Sequence, residues 1–321
     1  MSTVSPARRT YGLFVFDSVV DVLRDFGFVM RGALEDLPRG CDNVNLRVAT
    51  DRGDAVVRRY SGASVDAIAA ELRLVSFLAG QGFPTPSPFR TSAGELLLDK
   101  VYPVAVFPFV DGAAPAFLDV SLARRCGELL GWFHVLASGW ADERIPVIDR
   151  VAVLRESVVA PMSVDDMGVW RDAVSRFLDG RSVELERLGR APSGPLHHDL
   201  HPDNVLVRDG EVVALLDFGE LNRGPLLIDV ARALFYLAVW HPDRRLPMEA
   251  ASALLEGYDL VRPLSFVERA LVPVAFELSA LVDAAEFLSK HALMLGIRSV
   301  DECHSWSVFV RNADAVGRLI F

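Results

Sequence analysis

Three oxygen-bearing side chains stand close together in one short stretch, HHDLHPDNVLVRDGEVVALLDFGE, residues 197–220. Asp199 is followed five residues later by Asn204, and the apolar run VVALL then delivers Asp217 at the head of DFGE. Transfer of a terminal phosphoryl group needs a residue that orients the attacking hydroxyl, and oxygen ligands that hold magnesium against the nucleotide phosphates. One carboxylate, one amide and a second carboxylate meet that need, provided a β-hairpin folds Asp217 back beside Asn204. Asp203 and Asp209 are expected to be solvated loop and turn residues outside such a site.

These residues resemble a known superfamily. Protein kinases carry HRDLKPEN followed by DFG, and aminoglycoside phosphotransferases carry HGDLHPGN followed by an aspartate. The resemblance implies that Asp199 is the catalytic aspartate, that Asn204 and Asp217 ligate magnesium, and that His197 supports the loop backbone. His201 stands where HRDLKPEN has its lysine. There it approaches the transferring phosphoryl group or holds Asp199 in its rotamer, and the second role is the favoured one.

A chain of 321 residues allows two lobes. The expected fold class is α+β, a bilobal protein-kinase-like fold. Its β-rich nucleotide-binding lobe covers residues 1–110, a hinge lies near 107–112, and a mainly α-helical catalytic and substrate-binding lobe covers 111–321. In the first lobe, residues 17–27 have helical spacing, and LPRGCDNVNLRVATDRGDAVVRRY reads as two strands around a turn at Gly53. SVDAIAAELRLVSFLAGQG has a serine start signal and ends at Gly80 and Gly82, which predicts one helix. ELLLDK and VYPVAVFPFV are two further strand candidates.

The loop PRGCDNVN lacks GxGxxG but resembles the G-x-x-N turn of the aminoglycoside phosphotransferases. Gly40 would permit close backbone approach and Asn43 would donate to phosphate. The family's basic residue falls on Arg58 of VVRRY, whose neighbour Arg59 points to the opposite face if the strand alternates. Glu71, thirteen residues beyond Arg58, is its expected carboxylate partner. Adenine would dock on backbone groups near Phe107 and Phe109.

The second lobe reads as mainly helical from Ser121, with Leu122, Cys126, Leu129, Leu130 and Phe133 on one face. Protein kinases follow DFG with a long activation segment ending in APE. Here ELNRGPLLIDVARALFYL enters a helix almost at once, as in small-molecule kinases of the choline kinase-like group, whose corresponding aspartate is structural. Asp229 would contact the catalytic loop or pair with Arg232 one turn away. LLEGYDLVRPL resembles the GY-x-x-x-RPL region of type II homoserine kinases and their stress-response kinase relatives.

The implied activity is ATP- or GTP-dependent, magnesium-dependent O-phosphorylation of a small alcohol. The fold and catalytic motif do not choose among homoserine-like metabolites, aminoglycosides and peptide antibiotics, nor between a metabolic and an antibiotic-resistance role. Two other readings remain: a protein Ser/Thr kinase of the stress-response type, and a non-catalytic nucleotide-binding sensor. With 33 basic and 43 acidic residues, no broad cationic surface is available for nucleic acid or anionic membrane. Residues 249–302 hold nine acidic and four basic residues, which favours an amine-bearing substrate. Asp283 is the candidate there. Glu286 shares its helical face, whereas Glu277 falls on nearly the opposite side. His134, in a cluster with Trp132 and Phe133, reads as a core residue more than a pocket wall. Cys41, Cys126 and Cys303 lack disulfide or zinc spacing, and no signal peptide or membrane span is seen, so a reducing cytoplasm is expected.

Overall fold

The computed structural model describes residues 16–37, 43–160 and 164–319, with side chains from residue 19 onward. Gly40 and Cys41 therefore lie outside the described residues. The chain divides into two compact units, Met1–Gly112 and Ala113–Phe321.

The first unit runs α1 (Phe16–Asp25), β1 (Met30–Asp36), β2 (Val44–Thr50), β3 (Gly53–Arg59), α2 (Val65–Gly80), β4 (Leu98–Asp99) and β5 (Pro103–Pro108). The strands form one antiparallel sheet in the order β1-β2-β3-β5-β4. Gly53, at φ 105°, makes the β2–β3 turn that a residue with a Cβ would resist. Alternation along β3 then sorts its side chains between two apolar layers. Ala55 and Val57 join Val22, Leu23 and Phe26 of α1, while Val56 joins Tyr60, Ile68 and Leu72 on the α2 side. Ser64 caps α2 by accepting from the Ala67 amide (3.2 Å), as its sequence signal predicts. The strand β1 was not anticipated, because MRGALED shows little apolar alternation and is mostly exposed.

The second unit runs α3 (Val120–Ala137), α4 (Arg150–Val159), α5 (Met167–Gly180), α6 (Ser182–Gly189), β6 (Ser193–Leu196), β7 (Val205–Arg208), β8 (Glu211–Leu215), β9 (Asn222–Pro225), α7 (Leu226–Trp240), α8 (Met248–Val261), α9 (Phe266–Leu295) and α10 (His304–Val316). Two glycines let α3 and α8 touch backbone to backbone. A Cβ on Gly127 would meet the Leu254 carbonyl at 2.0 Å, and one on Gly257 the Arg124 carbonyl at 2.1 Å. Helix α9 opens on a Ser265/Glu268 capping box and ends at Gly296, in the left-handed region at φ 69°. Among the described residues no helix is long and apolar enough to cross a membrane.

Two small two-stranded sheets, β6–β9 and β7–β8, interrupt the helices. The hairpin registers Val205 against Leu215, so Asn204, just before β7, and Asp217, two residues beyond β8, emerge at the same end. The Leu216 amide donates to the Asn204 carbonyl (2.8 Å) and continues that closure.

Candidate active site

The loop between β6 and β7 is held from below by one buried carboxylate. Asp229, in the first turn of α7 and 1 % exposed, accepts from the His197 amide (2.7 Å) and the His198 amide (2.6 Å). His134 Nε2 donates to the same carboxylate (3.0 Å), and its Nδ1 accepts from the Tyr258 hydroxyl (2.7 Å). Burial alone would raise the Asp229 pKa. The hydrogen bond from His134 leads the effects that outweigh burial and hold the carboxyl below its ordinary range. Of the two partners open to Asp229, it takes the loop backbone, and Arg232 pairs instead with Asp283 (2.6 Å). His134 is a core residue, as its apolar surroundings suggest.

His197, fully buried, stitches the loop to the hairpin. Its Nδ1 accepts from the Asp199 amide (3.2 Å) and its Nε2 donates to the Leu216 carbonyl (3.0 Å). Phe218 of DFG stacks edge-on against it, with ring centroids 4.6 Å apart. His198 and Asp217 both stand in the left-handed region, at φ 68° and 61°. Non-glycine residues rarely occupy that region unless surrounding bonds hold them there, and such strain gathers at functional sites. His198 occupies the position of the glycine in HGDLHPGN.

The Asp199 carboxylate is gripped on both oxygens. Oδ1 accepts from the Tyr236 hydroxyl (2.5 Å), and Oδ2 from Asn204 Nδ2 (2.8 Å) and His201 Nε2 (3.3 Å). His201 Nδ1 accepts from the Asp203 amide (3.2 Å), which leaves the proton on Nε2 for Asp199. The imidazole also stacks on Trp240, with centroids 5.8 Å apart. These contacts are the ones that a His201 holding Asp199 in its rotamer would make. Burial tends to raise the Asp199 pKa, but His201 and then Tyr236 reverse that and hold it well below the usual carboxylate range. Asn204 Nδ2 donates as well to the Asp199 carbonyl (2.8 Å), which fixes the amide and turns its oxygen away from Asp199.

Asn204 and Asp217 offer hard oxygen donors from adjacent hairpin ends, a set that suits magnesium. That ion takes few protein ligands and keeps waters and phosphate oxygens. Among the described residues no group of three or more His, Cys, Asp or Glu is placed to hold a metal by itself.

Tyr236 opens a network invisible in the motif. Arg232 Nη2 donates to the Tyr236 hydroxyl (2.7 Å), Arg232 Nη1 to Asp283, and Ser305 of α10 donates to the other Asp283 oxygen. Asp283, singled out as a substrate carboxylate, therefore has its charge matched by Arg232. A cavity of about 210 Å³ lies against this network, with Asp199, Arg150, Arg232, Glu220, Asp283 and Glu286 in its wall. Glu277 lies elsewhere on α9 and pairs with Arg181 (2.9 Å), as helical spacing requires. One signal could have exposed Tyr236: Asp229, Arg232 and Tyr236 form a single polar stripe, at steps of three and four, in the otherwise apolar helix LLIDVARALFYLAVW.

In the first unit, Asn45 and Arg58 are cross-strand partners, and Arg58 Nε donates to Asn45 Oδ1 (3.0 Å). Arg58 faces α2 and stands 3.8 Å from Glu71, both nearly buried, while Arg59 turns to the other face and lies over Tyr102. Asn43 accepts from the Ser61 amide through its side-chain oxygen (3.2 Å). Near Phe107 and Phe109, strand pairing decides which backbone groups the sheet has taken. Phe107 is buried and registers against Val56, and the Phe109 amide already donates to the Asp54 carbonyl (3.0 Å). The Val106 carbonyl accepts from Phe89 on the opposite edge (2.8 Å). Backbone groups alternate between edges along a strand. The Pro108 carbonyl and Val110 amide are thus the groups turned away from β3.

The model of the phosphotransferase enzyme family (APH) matches residues 33–264, well over half of the chain. The homoserine kinase of Gluconobacter oxydans is 27% identical over 242 residues, covering 74% of this chain and 76% of that protein. The homoserine kinase of Xanthobacter autotrophicus is 29% identical over 262 residues, covering 77% and 79%. Among solved structures, a microcompartment-associated aminopropanol kinase superposes with a TM-score of 0.75 at 19% identity, covering 95% of this chain and 99% of that one. An amicoumacin kinase in complex with AMP-PNP and Ca2+ superposes at 0.67 and 15%, covering 94% and 93%. Likeness at such identities speaks for the fold, an antiparallel-sheet lobe and a mainly helical lobe of the protein-kinase-like class. By its sequence match and its architecture together, the chain belongs to the phosphotransferase enzyme family, as a small-molecule kinase acting on a hydroxyl.

Proposed function

We propose that the chain transfers the γ-phosphoryl group of ATP, with magnesium, to a hydroxyl of a small polar, amine-bearing molecule. The observation that carries this reading is the Asp199 carboxylate, ionised and clamped between Tyr236 and His201, with Asn204 bonded to it and Asp217 at the neighbouring hairpin end. The acceptor hydroxyl donates its hydrogen bond to Asp199 and its oxygen attacks the γ-phosphorus in line. The bond from that phosphorus to the β–γ bridging oxygen breaks, ADP leaves, and the hydroxyl proton passes to Asp199 and on to solvent. A carboxylate with so depressed a pKa is a weak base, so Asp199 acts mainly by orienting the nucleophile and takes the proton late.

Asn204 and Asp217 would hold the magnesium ion, which neutralises charge on the phosphate oxygens when bound. Arg58, braced by Asn45 and Glu71, would grip phosphate oxygens, and Asn43 would donate to them. Gly40 would complete that loop. The Pro108 carbonyl and Val110 amide would serve adenine. A protein acceptor is disfavoured because α7 begins at Leu226, nine residues beyond Asp217, where a peptide platform would need to lie.

The test is a panel of metabolites and aminoglycoside and peptide antibiotics, offered with ATP or GTP and screened for a phosphoryl mass gain. Asp199→Ala should abolish transfer while nucleotide still binds, and Asp217→Ala should weaken magnesium-nucleotide binding. Undiminished turnover by Asp199→Ala would sink the mechanism.

A further inference from the structure

Two guanidinium groups reach the 210 Å³ cavity beside Asp199, and they are not equivalent. Arg232 has Asp283 at 2.6 Å. Arg150 is 5 % exposed, and its recorded acceptors are both neutral: the Asn222 side-chain oxygen (2.8 Å) and the Ile148 carbonyl (3.4 Å). Among the described residues no carboxylate stands within ion-pairing distance of it. A guanidinium has five N–H donors, and an uncompensated buried cation is unfavourable enough to be rare without a partner. Burial, then the charge of Arg232, push its pKa down to about 10, so at neutral pH the group is still cationic.

The same wall carries Glu220, which has no basic partner among the described residues, and Glu286, whose pairing with Lys290 is exposed and long at 3.4 Å. The cavity therefore presents an unmatched cation deep inside, two weakly matched carboxylates toward solvent, and the phosphoryl-accepting position at Asp199. Its volume lies below the range of about 300–1,000 Å³ usual for drug-sized ligands. That size favours a metabolite over an aminoglycoside.

We propose that Arg150 is the carboxylate anchor of the acceptor, and that this cavity takes a small hydroxy amino acid with its carboxylate on Arg150, its ammonium at Glu220 and Glu286, and its hydroxyl at Asp199. This rests on the kinase reading above and makes it more specific. A guanidinium fork matches a carboxylate through two parallel hydrogen bonds, which neither Asn222 nor a lone carbonyl supplies. Holding the acceptor at three points would also fix which hydroxyl reaches the phosphate. Carboxylate-free amino alcohols should consequently be poor substrates, although they fit the cavity by size.

The test uses matched pairs of acceptors that differ only by the carboxylate: L-homoserine with 3-aminopropan-1-ol, L-serine with ethanolamine, and L-threonine with 1-aminopropan-2-ol. With ATP and magnesium, the wild-type protein should phosphorylate at least one amino acid with a kcat/KM roughly 10- to 100-fold above that of its partner. Arg150→Gln should raise KM for that amino acid by a similar factor and leave kcat within about threefold, so that the preference over the carboxylate-free partner collapses. Arg150→Lys, which keeps the charge and loses the fork, should fall between the two.

If Arg150→Gln does not fold, by tryptophan fluorescence, the wild-type ratio and Arg150→Lys decide the matter. Equal or better turnover of the carboxylate-free member would overturn the inference and leave the kinase reading standing. So would an Arg150→Lys defect that falls equally on both members, which is what a purely structural strut to Asn222 predicts. Absence of ADP formation with every alcohol would sink both.

Discussion

The substitution Asp229→Asn separates the holding of the catalytic loop from the chemistry, because Asp229 is fully enclosed and lies beneath the loop. One carboxylate oxygen accepts from the His198 amide, and the other from the His197 amide and His134. An asparagine has the same shape but one acceptor oxygen. With that oxygen facing His197, its NH2 group meets the His198 amide; with it facing His198, the NH2 meets the His197 amide. Turning the His134 tautomer accommodates the imidazole in the second case and cannot rescue the backbone donor. Either way one buried N–H is orphaned, at about 1–3 kcal/mol, and a bond to a charged acceptor is lost, at about 1.5–3 kcal/mol. The sum, roughly 2.5–6 kcal/mol, is a large part of the about 5–15 kcal/mol that a domain has in total.

All five tryptophans lie in the second unit, so their fluorescence in urea reports its unfolding alone. The midpoint should fall accordingly. Under conditions where the variant remains folded, kcat should drop by more than about 100-fold, because His198 holds its left-handed backbone only while both amides are engaged. A loss below about 1 kcal/mol with unchanged kcat would refute the reasoning, since it would mean that the loop keeps its shape without Asp229.

Three further outcomes are expected. Tyr236→Phe removes the donor to Asp199 Oδ1 and leaves Arg232 without one acceptor, and should lower kcat by roughly tenfold with little change in nucleotide KM; an unchanged kcat would show that His201 and Asn204 position Asp199 unaided. Gly127→Ala forces a Cβ into the Leu254 carbonyl and should lower the urea midpoint of the second unit, whereas Gly139→Ala, with open space at its Cβ, should not. The carboxyls of Asp199 and Asp229 both titrate below their unfolded values, so the stability they contribute is present above about pH 4 and is lost as pH falls through the folded values; acid titration of the fluorescence midpoint should show a decline there that Asp229→Asn makes shallower.

Local signals carried much of this architecture. The serine before α2, the glycine between β2 and β3, and the apolar run between Asn204 and Asp217 each work over a few residues, and each is found in place. Alternation along VVRRY was enough to separate Arg58, on the α2 face beside Glu71, from Arg59. What stayed hidden depends on distance along the chain. Tyr236 is 37 residues from Asp199, and Arg150 is 72 from Asn222, so only the packing of α4, β9 and α7 brings them together. The choice at Asp229 was open for the same reason: the helical spacing to Arg232 is a local fact, while the loop amides that win it arrive from β6. Around Phe109 the sequence could not say which edge each backbone group faces, since only the strand pairing shows which of them the sheet has already taken.

The arrangement around Asp199 also says how the site divides its work. Four carboxylates and two guanidiniums crowd one small cavity, yet only one opposite-charge pair within it is closed, Arg232 with Asp283. That pair has a structural use: through Tyr236 it reaches Asp199 Oδ1, and through Ser305 it ties the same network to α10. A carboxylate held this firmly loses basicity and gains a fixed direction, which suits a reaction whose barrier falls by positioning more than by proton abstraction. Holding Asp199 requires one cation. The second, Arg150, makes no hydrogen bond to that grip, and its burial beside neutral acceptors leaves it a cation that an anion arriving with the substrate would match.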